Sequence, residues 1–483
     1  MAIRSLCRAA SIAATVSLAG CGGPENGPVR VSAIGGAARL VNPNLQPLDP
    51  PSAFLTEALA QGLVRFDAAG EIEPALAQSW VVSDDALRYT FRIRRTQWAD
   101  GSPVTAAQVA ARLRAALSRA SRNPFKPVLG AVENIVAMTD FVLEISLRGP
   151  RPNFLQLLAH PEMAVLQNGI GTGPYRLGGA GAAGVRLRLP RAEDEEAQAG
   201  TPDILLRGEP ASRAVARFAA GEADLVLGGT AGDLPLARAA DAPAARTVFD
   251  PVAGMFGLVF AGGPGPLADA AARRALSMAI DRDGLAAALD APRLGPRTSL
   301  VAPGVQELPA PVQPGWAAAP LAERRATAAR AIAELGLEAP IRLRLAMPEG
   351  PGYRLAFAYL RRDWRMIGVE AERVPAGAPT DLILIDQVAP ANLASWYLRH
   401  FTCDVSAVCD AAADEALLAA RLAPRPADRQ AQLAAADRIL TELVPFIPLT
   451  APVRWSLVSP RLTGFRPNGF ARHPAIVLIA ERQ

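Results

Sequence analysis

Residues 204–227 read ILLRGEPASRAVARFAAGEADLVL. Ile204-Leu205-Leu206 and Leu225-Val226-Leu227 are short apolar runs with the composition of buried strands, and Asp224 leads into the second. Between them Ser212–Gly221 reads as a helix. Strand, helix and strand in that order predict a parallel pairing, because the helix carries the chain back to the starting edge. The stretch sets the fold class as α/β.

The same alternation extends in both directions. Leu87, Tyr89, Phe91 and Ile93 alternate with Arg88, Thr90, Arg92 and Arg94, the pattern of a half-buried strand. Phe141, Leu143, Ile145 and Leu147 repeat it, and so do Val185, Leu187 and Leu189 around Arg186 and Arg188. Thr105-Ala106-Ala107-Gln108 is a capping box opening a helix with Val109, Leu113, Ala116 and Leu117 on one face. Ala268–Leu289 reads as largely helical. Tyr353, Phe357, Leu360, Trp364 and Ile367 form a helical stripe that stops at Gly368. Leu382–Ile385 is an uninterrupted apolar strand between Asp381 and Asp386, the pattern of burial on both faces. Pro-rich joints at 292–320 and 424–426 read as surface connections. No internal repeat appears.

A chain of 483 residues, half of them hydrophobic, exceeds one ordinary core and should divide into two or three domains. Lys and Arg number 50 against 46 Asp and Glu, and Arg4 and Arg8 supply half of the excess. The balance argues against nucleic acid as a partner. Lys126 is the sole lysine, a bias toward Arg and Ala that fits a GC-rich genome.

The N-terminus carries an address. Arg4 and Arg8 precede the short apolar run Ala9–Ala19, then Leu18-Ala19-Gly20-Cys21. A basic start, an apolar run and small residues before a cleavage point describe a secretory signal, too short to span a bilayer. Leu-Ala-Gly-Cys resembles a bacterial lipobox. That resemblance implies removal of residues 1–20, lipidation of Cys21, and a tether over 21–28. The mature chain then has no spanning helix and works in the periplasm or cell envelope, attached to a membrane by acyl chains. Cys7 leaves with the signal. Cys403 and Cys409 remain in a compartment that permits disulfides, and a local bridge between them is expected.

Three groups of segments carry a family resemblance. The first is Leu63-Val64-Arg65-Phe66-Asp67, Pro74–Trp80, Tyr89–Arg94 and Trp98–Ala106. The second is Gly171-Thr172-Gly173-Pro174-Tyr175, and the third is Arg273–Arg282. With Phe218–Asp224, Trp364–Val369 and Pro445–Leu449, their order resembles the extracytoplasmic solute-binding proteins of the peptide/nickel class that serve ABC importers, bacterial solute-binding protein family 5. The resemblance implies a two-lobed periplasmic-binding-protein fold of class II type with an additional small inserted domain. Lobe I would comprise 29–50, 162–253 and 452–483, the inserted domain 51–161, and lobe II 254–451. Chain crossings would fall near Gly254–Ala261 and Pro448–Trp455.

Most motif residues have structural readings. Trp80, Tyr89 and Trp98 read as core, since buried aromatics usually pack. Asp100-Gly101 is a turn. Gly171-Thr172-Gly173-Pro174 leads into a strand, so it offers no helix N-terminus to a phosphate. Gly178–Gly184 reads as a hairpin or loop.

Family position points to Asn42, Phe125, Phe256, Asp386, Gln387 and Trp396 as ligand contacts. Phe125 and Trp396 would be apolar walls; Asn42, Asp386 and Gln387 would orient polar groups. The chain departs from the family at two places. Ala389-Pro390 stands where peptide-binding members carry an acidic-Pro pair, and the aspartate that holds a peptide's amino group is recognisable only if Asp386 substitutes. Ala261 follows the strand Phe256–Phe260 where relatives often have Asn. An unpaired buried carboxylate is costly, so its absence argues against a buried ammonium at that place.

Only 3 histidines occur, His160, His400 and His473, which argues against direct nickel ligation by several imidazoles. No cofactor or metal is expected. Asp84-Asp85 and Glu193-Asp194-Glu195-Glu196 read as solvated acidic runs, and no Gly-x-Ser-x-Gly elbow, His-Glu-x-x-His helix or Cys/His pair is present. The expected function is capture of a small solute, peptide or peptide-like first, and its delivery to an ABC permease by a monomer. The alternatives are an exported enzyme, or a scaffold or sensor lipoprotein using the same fold without transport.

Overall fold

The computed structural model describes residues 27–478, apart from 99, 168, 170, 191–202, 241–245, 263–264 and 339. The signal, Cys7, Cys21, the tether up to residue 26 and the acidic run Glu193–Glu196 lie outside the described residues.

The described residues form four sheets, of which the smallest is the two-stranded pair Val64–Phe66 and Ile72–Pro74; the other three organise the chain. The first has seven strands, in the order Thr247–Phe249, Arg454–Val458, Leu225–Thr230, Val29–Ile34, Ile204–Glu209, Gly184–Arg188 and Arg176–Gly181. The strands of the 204–227 stretch both run parallel to Val29–Ile34, which lies between them. Their connecting helix, Ala211–Ala219, buries Ala211, Ala214, Val215 and Phe218.

The second sheet has five strands, in the order Val369–Val374, Ile341–Ala346, Leu382–Val388, Gly254–Phe260 and Phe446–Thr450. The third is antiparallel with four strands, in the order Ala77–Val82, Arg88–Ile93, Val142–Leu147 and Val132–Thr139. Helix Ala106–Leu117 covers it, and both halves of the capping box are made: Gln108 N donates to Thr105 Oγ1, and Thr105 N donates to Gln108 Oε1.

The chain passes between the two larger sheets through residues 250–253 and 451–453. Both passages are short, which places the ends of the two sheets side by side.

Local details differ from the sequence reading in three places. The predicted helix Ala268–Leu289 is two helices, Ala270–Ala279 and Arg282–Leu289. The break falls at Ile280-Asp281 because the Asp281 carboxylate caps the second helix, accepting from Gly284 N. Ile383, in the strand expected to be buried on both faces, is 38% exposed. The Pro-rich joint at 292–320 is not all surface: Leu300, Val301, Val305 and Leu308 pack into a core with Tyr397, Phe401 and Phe446.

Elsewhere the expected core residues pack as read. Tyr89 and Trp98 are buried and Trp80 lies partly covered against the same cluster. Residues 176–188 form a hairpin. Added side-chain carbons at Gly171 or Gly173 would fall within 2.6 Å of Leu59 or Ala60, so the Gly-Thr-Gly segment is a close-packing device against the end of helix Pro50–Leu59.

Candidate ligand cavity

A cavity of about 680 Å³ lies where the sheets meet, within the size range of small-molecule sites. Strand Leu225–Thr230 supplies part of its wall. Gly229 lies opposite Trp455, and any side chain there would collide with the indole. The missing side chain lets Trp455 lie flat against the strand, and its Nε1 donates to Thr230 O at 2.8 Å.

Helix Pro50–Leu59 supplies Ala53, Phe54 and Glu57. Two prolines fit its first turn, and the Asp49 carboxylate caps it by accepting from Ser52 N. The far wall is Gln387–Pro390 with Trp396, Arg399 and His400. The third sheet's surroundings add Phe125, Val128, His160 and Glu162, and the C-terminal segment adds Phe470–His473.

Phe125, Gln387 and Trp396 from the sequence-based set are brought together on this wall. Asn42, Phe256 and Asp386 are not. Asn42 sits in an exposed turn, its side chain accepting from Asn44 N. Phe256 and Asp386 are directly paired across antiparallel strands, so their side chains share one sheet face. That face is turned away from the cavity: Phe256 is 1% exposed in the central core. The next pair, Met255 and Gln387, faces the other way, which puts Gln387 on the wall.

The Asp386 carboxylate is occupied. Arg454 Nη1 donates to it at 2.7 Å and Tyr353 Oη at 2.8 Å, and its side chain is 5% exposed. Burial and the neighbouring carboxylate hold the Tyr353 hydroxyl well above its usual pKa, so it stays a donor.

Apart from Gln387, position in the sequence did not single out the polar groups that line the cavity. Arg472 donates to Glu162 at 2.9 Å. His473 Nε2 meets Asp250 Oδ2 at 3.1 Å. Glu57, on the helix facing them, has its pKa pushed up to about 7, chiefly by burial. His160 is buried against the rings of Phe66, Phe125 and Phe470. Burial lowers its pKa to about 4, so it is neutral, and its Nε2 donates to Pro390 O at 2.7 Å. His400 is likewise shifted down by burial; its Nδ1 meets Trp396 O and its Nε2 meets Gln387 Oε1. No sequence signal grouped them: His160, His400 and His473 are far apart in the chain, and only the fold brings all 3 histidines to this one cavity.

Cys403 and Cys409 are joined by a disulfide with Cα atoms 5.1 Å apart. Asp404 and Val405, inside the loop it closes, and Thr402 just before it reach the cavity wall. Among the described residues no three His, Cys, Asp or Glu side chains gather closely enough to hold a metal ion. Among them, too, no helix is long and apolar enough to cross a membrane.

An interlobal cavity flanked by two mixed sheets, which the chain joins by short crossings, defines a two-lobed periplasmic-binding-protein fold. The chain belongs to the bacterial extracellular solute-binding proteins, family 5 Middle, whose model matches residues 71–392.

Its fold is similar to Haemophilus influenzae OppA in complex with RPPGFSPFR, with a TM-score of 0.80, 17% identity, and coverage of 93% of this chain and 98% of that one. The Escherichia coli murein tripeptide binding protein MppA matches with a TM-score of 0.80, 20% identity and the same coverage. In sequence, the nickel-binding periplasmic protein of Escherichia coli K12 is 27% identical over 283 residues, 51% of this chain. The match spans 50% of that relative's length.

Proposed function

We propose that this protein is a lipid-anchored extracytoplasmic solute-binding protein that closes two lobes over a small solute, peptide-like first, and presents it to an ABC permease. Lobe I is assigned to 29–50, 162–253 and 452–483, the inserted domain to 51–161 and lobe II to 254–451. Residues 1–20 are the signal, and Cys21, followed by the tether to 28, is the lipid attachment point. The protein acts as a monomer in the cell envelope and catalyses no reaction.

The observation that carries the reading is the cavity. Its walls come from elements of both large sheets, and the passages at 250–253 and 451–453 are placed to act as a hinge. A solute touching Gln387 and Trp396 on one side and Trp455 on the other would favour the closed state by its differential contacts. The names of the similar proteins support the class: one binds nickel, one a murein tripeptide, and one is in complex with a nonapeptide.

The test is small-angle scattering with mass spectrometry of the solute released from purified protein. The reading expects compaction on solute addition, and no compaction with any solute found bound would overturn it.

A further inference from the structure

The acids on the cavity wall differ in how they are satisfied. Asp250 holds His473, Glu162 holds Arg472, and Asp404 stands on the exposed disulfide loop. Glu57 is half-buried at the wall and meets no hydrogen-bond donor or ion-pair partner among the described residues. Its electrostatic neighbours are Arg472 and Glu162, so two carboxylates share one guanidinium.

The same corner holds two further unmet acceptors. The bond from His160 Nε2 to Pro390 O fixes the tautomer and leaves Nδ1 as an acceptor. Neither His160 Nδ1 nor Glu162 Oε2 has a partner, and the two lie 3.9 Å apart. Their side chains are 4% and 8% exposed. Buried acceptors without donors are costly, and nothing on the described chain supplies a donor here.

We propose that this corner receives a primary ammonium group of the bound solute, with Glu57 as its ion-pair partner and Glu162 and His160 as the acceptors behind it. The inference rests on the solute-binding reading and narrows it to amine-bearing solutes. A primary ammonium is compact and carries three donors, which matches three acceptor groups on one side of the cavity. On the opposite lobe Asp386 is taken up by Arg454 and Tyr353, and Asp404 stands exposed to water on the disulfide loop. The high pKa of Glu57 agrees with an unpaired carboxylate awaiting a cation.

The probe is the dialysable fraction of yeast extract, used untreated and after exhaustive acetylation of its primary amines. Native mass spectrometry reads what the wild-type protein and Glu57→Gln capture, and titration of the captured species gives affinities. The expected result is capture of amine-bearing solutes from the untreated fraction only, with binding weakened about 10-fold or more in Glu57→Gln. Glu57→Asp should recover part of the affinity, and melting of unliganded Glu57→Gln shows that it is folded. Capture of solutes lacking a primary amine, or equal affinity of Glu57→Gln, overturns the ammonium assignment while leaving the clamp reading intact. If no solute binds either fraction and scattering shows no compaction, both readings fall.

Discussion

Arg454 and Asp386 form an ion pair at 2.7 Å that ties the seven-stranded sheet to the five-stranded sheet beside the passage 451–453. Arg454 also donates to the Asp386 backbone oxygen at 3.1 Å, so one guanidinium grips both parts of the residue. The pair is well buried, at 15% and 5% side-chain exposure. Such a contact next to a crossing holds the two strands together at their junction as well as satisfying charge.

Removing one partner of this pair should therefore cost stability. Arg454→Met leaves the Asp386 carboxylate buried with only the Tyr353 hydroxyl, at a cost of about 3 kcal/mol. Asp386→Asn should cost less, since the amide oxygen still accepts from Arg454. Urea unfolding of the unliganded variants checks both. A pure loss of affinity in Asp386→Asn, with unchanged stability, would place Asp386 in the binding site.

Trp396 is partly buried against Tyr397 and His400, with its remaining surface on the cavity. Trp396→Ala should weaken solute binding by about 10-fold or more, as loss of an aromatic wall commonly does. The melting temperature of the unliganded protein should change little. Calorimetric titration beside a thermal melt separates the two effects.

Two cavity groups give opposite pH dependences. His160 has a folded pKa of about 4, below its ordinary value of 6.5, so its contribution is present above pH 6.5 and is lost as pH falls toward 4. Glu57 has a folded pKa of about 7, above its ordinary 4.5, so its contribution is present below pH 4.5 and is lost as pH rises toward 7. Glu57→Gln should then gain stability relative to wild type between pH 4.5 and 7, and His160→Phe should flatten the acid side. Stability measured across pH 4 to 8 reads both slopes.

The Cys403–Cys409 bridge closes a short loop, so its removal should cost about 2 kcal/mol. Cys403→Ser with Cys409→Ser should lower the melting temperature modestly and loosen Asp404 and Val405 at the cavity mouth. Two free thiols titrating in oxidised, denatured wild-type protein would contradict the bond.

Anchoring is tested at Cys21. Wild-type protein should partition with membranes, because two or more acyl chains hold where one does not. Cys21→Ala should be released or mislocalised. An unlipidated N-terminus beginning at another residue of the wild-type protein would refute the assignment.

The sequence by itself determined the local structure and its class. Alternation at Arg88–Ile93, the Thr105–Gln108 capping box and the stripe from Tyr353 to Ile367 are short-range patterns, and each reappears as the element it encodes. Their order carried the family, and of the six residues that family position points to, Phe125, Gln387 and Trp396 lie on the cavity wall. What the tertiary structure decided was which neighbour each polar side chain meets. Asp386 and Gln387 are adjacent, yet strand pairing with Phe256 and Met255 sends them to opposite faces, one to a salt bridge and one to the cavity. Glu57, His160, Glu162 and Arg472 are spread over 416 positions and meet because a helix, a short turn and the C-terminal segment fold onto one another. Periodicity is a property of a few consecutive residues. A cavity wall is a property of packing between distant ones, and only the folded chain brings their charges within reach.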